Sequence, residues 1–174
     1  KPSFQVLPHA TAGGMAGLLE FLNERGGKED LYHLAEELLM EVDDLFPIVD
    51  AAVLLDLAYS TQGDVRLTPA GKQFAEADIA TRKRLFREAL LSHVTLIQQI
   101  RNALEGKSNR AVPLEFFRDV LDEHLSQEDV QRQIDTALNW GRYAEIFTYN
   151  SESDELLLDQ ATDTADASAA VPLH

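Results

Sequence analysis

The chain has 174 residues, 45% of them hydrophobic, and 30 Asp and Glu against 15 Lys and Arg give a net charge of −15. That apolar share can build a core, while the acidic balance disfavours non-specific binding to nucleic acid or anionic membrane, both of which are negative themselves. With no cysteine, disulfide frameworks, thiolate nucleophiles and cysteine-based metal sites are excluded, and the composition fits a reducing compartment. No run approaches the roughly 18–20 apolar residues of a spanning helix, and the start lacks a signal-peptide pattern. The chain opens on Lys1 and reads as a piece cut from a longer protein.

In chain order, residues 11–25 are predicted to be a helix, with Met15, Leu18, Leu19 and Leu22 at helical spacing and Gly26-Gly27 as its stop. Asp30 can cap a second helix carrying Leu31, Leu34, Ala35, Leu38 and Leu39. A third begins near Asp43-Asp44, with Leu45, Ile48, Val49, Ala52, Val53 and Leu55, and Pro47 is placed in its first turn, where a missing N–H costs little. Extended pieces at Leu57–Ser60 and Val65–Leu67 flank a Gln62-Gly63-Asp64 turn, and Thr68-Pro69 supplies a capped start for a helix over 69–77. Three helices, a hairpin and a further helix are the order of a winged helix.

The pattern recurs. At an offset of 85 the third helix maps onto 126–140, with Leu45 on Val130, Val49 on Ile134 and Ala52 on Ala137; at 86 the second maps Leu31 on Phe117 and Leu34 on Val120. A second wing falls at about Ala144–Tyr149 and Glu155–Leu158. Between the two patterns Thr81 is taken as the cap of a helix with Leu85, Phe86, Ala89 and Leu90, followed by a stripe of Leu96, Ile97, Ile100 and Leu104. The predicted architecture is therefore mainly α with small β-hairpins: tandem winged-helix-like lobes joined by a helical segment. Lobe 1 takes 1–78, a basic linker helix plus the first helix of lobe 2 takes 79–106, the rest of lobe 2 takes 107–160, and 161–174 is expected to be a disordered tail.

Charge follows these segments: −9 over 1–78, +3 over 79–106, −7 over 107–160 and −2 in the tail. The third helix, Glu41 to Asp56, carries five acids and neither Lys nor Arg. A recognition helix lies against a groove walled by phosphates, and affinity comes largely from Lys and Arg, so DNA is disfavoured as a partner. Arg82, Lys83, Arg84 and Arg87 form the one basic cluster, either a solvated face or a contact for an acidic protein surface or small anion.

Catalysis finds no support in the motifs. Gly26-Gly27-Lys28 lacks the spacing and hydroxyl of a phosphate loop, and neither a nucleophile elbow nor a zinc-binding histidine pair occurs. His33 with Glu36 or Glu37 has ligand spacing, but a solvated helix face outweighs a metal there. In Asn139-Trp140-Gly141-Arg142-Tyr143 the tryptophan is expected to anchor the core, with Gly141 supplying the left-handed turn that ends the helix.

Several of these runs resemble one family. Arg25-Gly26-Gly27-Lys28-Glu29-Asp30-Leu31-Tyr32-His33-Leu34-Ala35-Glu36-Glu37-Leu38 looks like the opening of the AAA-associated C-terminal domain, as do Val42-Asp43-Asp44-Leu45-Phe46-Pro47-Ile48-Val49, Leu67-Thr68-Pro69-Ala70-Gly71, Phe74-Ala75-Glu76-Ala77-Asp78 and Asn139-Trp140-Gly141-Arg142-Tyr143-Ala144-Glu145. The resemblance spans about 8–158, with Asp56 standing where a glycine or small residue is expected. It implies a non-catalytic regulatory or interaction domain behind the nucleotide-binding domain of a bacterial ABC importer ATPase of the nitrate/sulfonate/taurine/bicarbonate group. ATP and magnesium would belong to that upstream domain, with no cofactor or metal here. The implied partners are the upstream domain, a second copy and, indirectly, the membrane subunits, at the cytoplasmic face of the inner membrane. The alternative is an acidic tandem winged-helix transcription regulator or small-anion sensor.

Overall fold

The computed structural model describes residues 4–159, so the predicted tail at 161–174 lies outside the described residues. Two compact units divide between Val94 and Thr95, inside the segment 79–106. The first contains α1 (Ala12–Glu24), β1 (Lys28–Asp30), α2 (Leu31–Glu37), α3 (Val42–Leu54), β2 (Ala58–Thr61), β3 (Asp64–Leu67), α4 (Pro69–Glu76) and α5 (Ile79–His93). The second contains α6 (Thr95–Glu105), β4 (Ala111–Pro113), α7 (Leu114–Asp122), α8 (Gln127–Tyr143), β5 (Phe147–Asn150) and β6 (Glu155–Leu158). The fold is mainly helical, and each unit is a winged-helix-like lobe.

Side chains one turn back define the helix starts. Thr11, Asp30, Thr68 and Ser126 accept from the amides of Gly14, His33, Gly71 and Asp129, satisfying donors that no helical carbonyl can reach. α5 differs from the expected Thr81 cap: Asp78 is the cap, its carboxylate accepting the Thr81 amide at 2.8 Å. A carboxylate there also faces the positive end of the helix. α3 starts at Val42, which puts Pro47 inside the helix and beyond its first turn. Its missing N–H therefore removes a bond to the Asp43 carbonyl instead of being free of cost.

Each wing has three strands, not the two expected. The sheets run β1-β3-β2 and β4-β6-β5, all antiparallel, with Lys28 opposite Arg66 and Ala111 opposite Leu157. Lys-Glu-Asp and Ala-Val-Pro carry no alternating apolar pattern. Their extended form comes from pairing with a partner strand.

Starts of α6, β4 and α7 follow those of α1, β1 and α2 by 83 residues, and α8 follows α3 by 85. The 86-residue match of the second helix is thus corrected: Leu31 corresponds to Leu114, and buried Leu34 to buried Phe117. The two offsets differ by three residues, close to one helical turn, so an apolar stripe maps onto itself under that slip. Leu45, Val49 and Ala52 and their counterparts Val130, Ile134 and Ala137 are all buried.

α3 and α8 end alike. Beyond α3, the Asp56 amide donates to Val53 and that of Leu57 to Ala52; beyond α8, Glu145 donates to Arg142 and Ile146 to Gly141. This is the Schellman pattern, with Asp56 and Glu145 at φ 58° each. Gly141 is therefore not the left-handed residue. It lies within α8 and is needed because a Cβ there would overlap the Phe147 ring. Trp140 is fully buried beside it, as expected. Gly71 has the same purpose in lobe 1, where a Cβ would strike the Leu57 carbonyl.

Candidate functional site

Winged-helix proteins that read DNA use the third helix of the lobe. In α3 the side towards the core is Leu45, Val49 and Ala52. Outward, at helical spacing, stand Asp43, Phe46, Asp50 and Val53, all exposed. Asp43 and Asp44 occupy the first turn, where carboxylates stabilise the helix dipole. Asp50 lies mid-helix and gains nothing from that end. Side chains of Asp43, Asp44 and Asp50 make no hydrogen bond or ion pair among the described residues.

Several other lobe 1 acids are compensated, while the side chains of Glu36, Glu41 and Asp56 have no partner among the described residues. Glu37 binds Arg25 at 2.8 Å, Glu20 binds Arg82 at 3.2 Å and Glu88 binds Arg84 at 3.1 Å. The hairpin of lobe 1 offers one base, Arg66, beside Asp64 at 3.9 Å. In lobe 2, α8 presents Glu128, Gln131, Arg132, Asp135 and Asn139, and Gln131 donates to Asp135 at 2.8 Å. Neither helix has the cationic face a duplex requires.

The basic cluster on α5 is split by the structure. Arg82 Nε donates to the Phe74 carbonyl at 3.0 Å and Nη2 to that of Ala75 at 2.6 Å, with Nη1 on Glu20. Its guanidinium thus satisfies carbonyls at the end of α4, where a cation also meets the helix dipole. Lys83 and Arg87 are half-buried, and exposed Arg84 pairs with Glu88. Three bases at most remain for an outside contact.

Of the two candidate pairs at His33, the structure selects Glu37 and adds Glu29, whose ligand atoms all lie within 4.8 Å of one another. Sequence spacing finds Glu29 too, four residues before His33. Arg25 already binds Glu37 and stacks over Phe21 at 3.8 Å. That hydrogen bond holds the Glu37 carboxyl below its ordinary range. A fixed cation here opposes a second one.

Lobe 2 carries a polar network that sequence reading missed. Arg118 binds Asp154 at 2.7 Å and Glu115 at 3.1 Å, and the Tyr149 hydroxyl donates to Asp154 at 2.6 Å. Arg118 and then Tyr149 hold the Asp154 carboxyl low, and Asp154 pushes the Tyr149 phenol up. The partners are separated by up to 36 residues in the chain, so no local motif could mark them. The network ties α7 to the β5–β6 turn.

An open groove of about 520 Å³ lies between Gly26-Gly27 and Thr68-Pro69, with Lys72 beside Glu76. Gly26 and Gly27 adopt positive φ after α1, and the Gly27 carbonyl accepts the Leu67 amide. They terminate a helix, their amides donating to the Asn23 and Leu22 carbonyls. Among the described residues, no helix is long and apolar enough to cross a membrane.

Family comparison agrees with this geometry: the model of the C-terminal AAA-associated domain matches residues 32–150. No curated protein and no solved structure gives a match. That family is a non-catalytic regulatory and docking module. The chain belongs to the C-terminal AAA-associated domain family, the associated C-terminal domain of ABC-importer ATPase subunits.

Proposed function

We propose that the chain docks onto protein surfaces of its parent importer and thereby biases closure of the nucleotide-binding domains. The single observation that carries this reading is the outward face of α3, anionic and without partners among the described residues where a DNA reader would be cationic. The implied partners are the upstream nucleotide-binding domain, a second copy and, indirectly, the membrane subunits, at the cytoplasmic face of the inner membrane. The transported solute would belong to the nitrate, sulfonate, taurine or bicarbonate class. ATP and magnesium would be handled by the upstream domain.

Regulation of this kind requires different affinity for open and closed states. ATP turnover and transport of the reconstituted importer, with and without this domain, test it. A change of about fivefold or more in either supports the reading; unchanged turnover, transport and assembly overturn it. Duplex DNA titrated at low salt should give no steeply salt-dependent binding.

A further inference from the structure

We propose that the outward face of α3 is the docking site, and that its occupant is a cationic amphipathic helix of a partner protein. This rests on the docking reading above and names the surface and the partner's chemistry. Phe46 and Val53 are 40% and 41% exposed. Their seven-residue separation spans about 10 Å of helix, with Asp50 between them and Asp43 before them. An apolar pair framed by unpaired carboxylates complements a helix that carries apolar residues seven apart with Lys or Arg beside them.

The repeat supplies an internal control. At the 85-residue offset Phe46 becomes Gln131, Val53 becomes half-buried Leu138 and Asp50 becomes Asp135, which pairs with Gln131. Asp43 becomes Glu128, which likewise has no side-chain partner among the described residues, so the two faces differ at the centre: a Gln131–Asp135 pair in lobe 2, and an exposed Phe46 near an unpaired Asp50 in lobe 1. Folding alone does not demand the second. A second copy of the chain is a poorer complement, because Arg82 is committed to α4, Arg84 pairs with Glu88, and Lys83 and Arg87 are half-buried.

The test uses the full 174-residue chain and a fluorescent synthetic helix of Leu at heptad spacing with Lys between, read by anisotropy. The control helix carries Glu in place of Lys. Binding of the Lys helix should weaken with salt. Phe46→Gln, which installs the residue lobe 2 already carries, should weaken it about tenfold. Asp43→Asn with Asp50→Asn should weaken it about fivefold. Glu128→Gln with Asp135→Asn removes equal charge from α8 and should leave it unchanged, with circular dichroism confirming the fold of each variant.

Equal loss from the α8 pair would reduce the effect to net charge and overturn the proposal. So would an unaffected Phe46→Gln variant, equal binding of the Glu helix, or a dimer in sedimentation that Phe46→Gln dissolves. If the Lys helix fails to bind while removing the domain still alters turnover, docking stands but through another face.

Discussion

At the scale of single residues, two glycines with the same composition value have opposite meanings. Gly71, the third residue of α4, is buried, and a Cβ on it would collide with the backbone carbonyl of Leu57. Backbone cannot rotate away as a side chain would, so the helix would have to lift off the hairpin. Gly17, in the middle of α1, is exposed, and a Cβ there would meet nothing within 4 Å. Gly71→Ala should therefore cost about 2–3 kcal/mol, while Gly17→Ala should add about 0.5–1 kcal/mol through helix propensity. Urea denaturation of both variants checks the pair. Equal effects would mean that Gly71 does not hold α4 against Leu57. Nothing in the sequence separates these glycines, because close approach is made by residues distant in the chain.

At the scale of elements, what was legible is what is local. Helices α1, α2, α3, α4, α6 and α8 follow from apolar spacing, joined in α1, α2, α4 and α8 by caps that act within one turn, such as Thr68, whose hydroxyl accepts the Gly71 amide at 3.0 Å. The same hydroxyl donates to the Asp56 carbonyl at 2.6 Å, a link to the preceding helix end that spacing cannot reveal. Strands β1 and β4 were illegible because their residues carry no strand pattern and are extended only by pairing with β3 and β6. For the candidate site, the anionic character of α3 was plain in the sequence. The commitment of Arg82 to α4 was not, since its acceptors are main-chain carbonyls. Asp56 is the instructive case: the family resemblance implies a glycine or small residue there, and the left-handed φ of 58° accounts for it. Asp56→Gly should stabilise the fold by about 0.5–1 kcal/mol, the cost of a side chain in that region. Thermal and urea unfolding measure it, and a loss of stability would show that the Asp56 side chain does more than tolerate the turn.

At the scale of the whole molecule, fifteen excess negative charges compete with a set of paired carboxylates, and pH separates the two. Between pH 7 and the pI of about 4.6, protonation removes repulsion that the compact state feels more than the unfolded chain. Most ion pairs here join at least one largely exposed partner, such as Arg84 with Glu88, and surface pairs of that kind contribute little. Stability should therefore rise as pH falls from 7 towards about 5. Below about pH 4 the sign reverses. Glu37, Asp78 and Asp154 have carboxyls held low in the fold by Arg25, by the Thr81 backbone amide and by Arg118. The folded state then binds fewer protons than the unfolded one, so that stabilisation is present above the ordinary carboxylate pKa and is lost as pH falls through the lowered values. Added salt should flatten the rise between pH 7 and 5 by screening the repulsion. Melting curves at about pH 7, 5 and 3.5, with and without salt, test this. A steady fall in Tm from pH 7 downward would mean that the paired carboxylates outweigh the net charge. The same repulsion bears on docking: a cationic helix laid on α3 neutralises carboxylates that have no partner among the described residues, so its binding should raise Tm most at pH 7, where those charges are fully present.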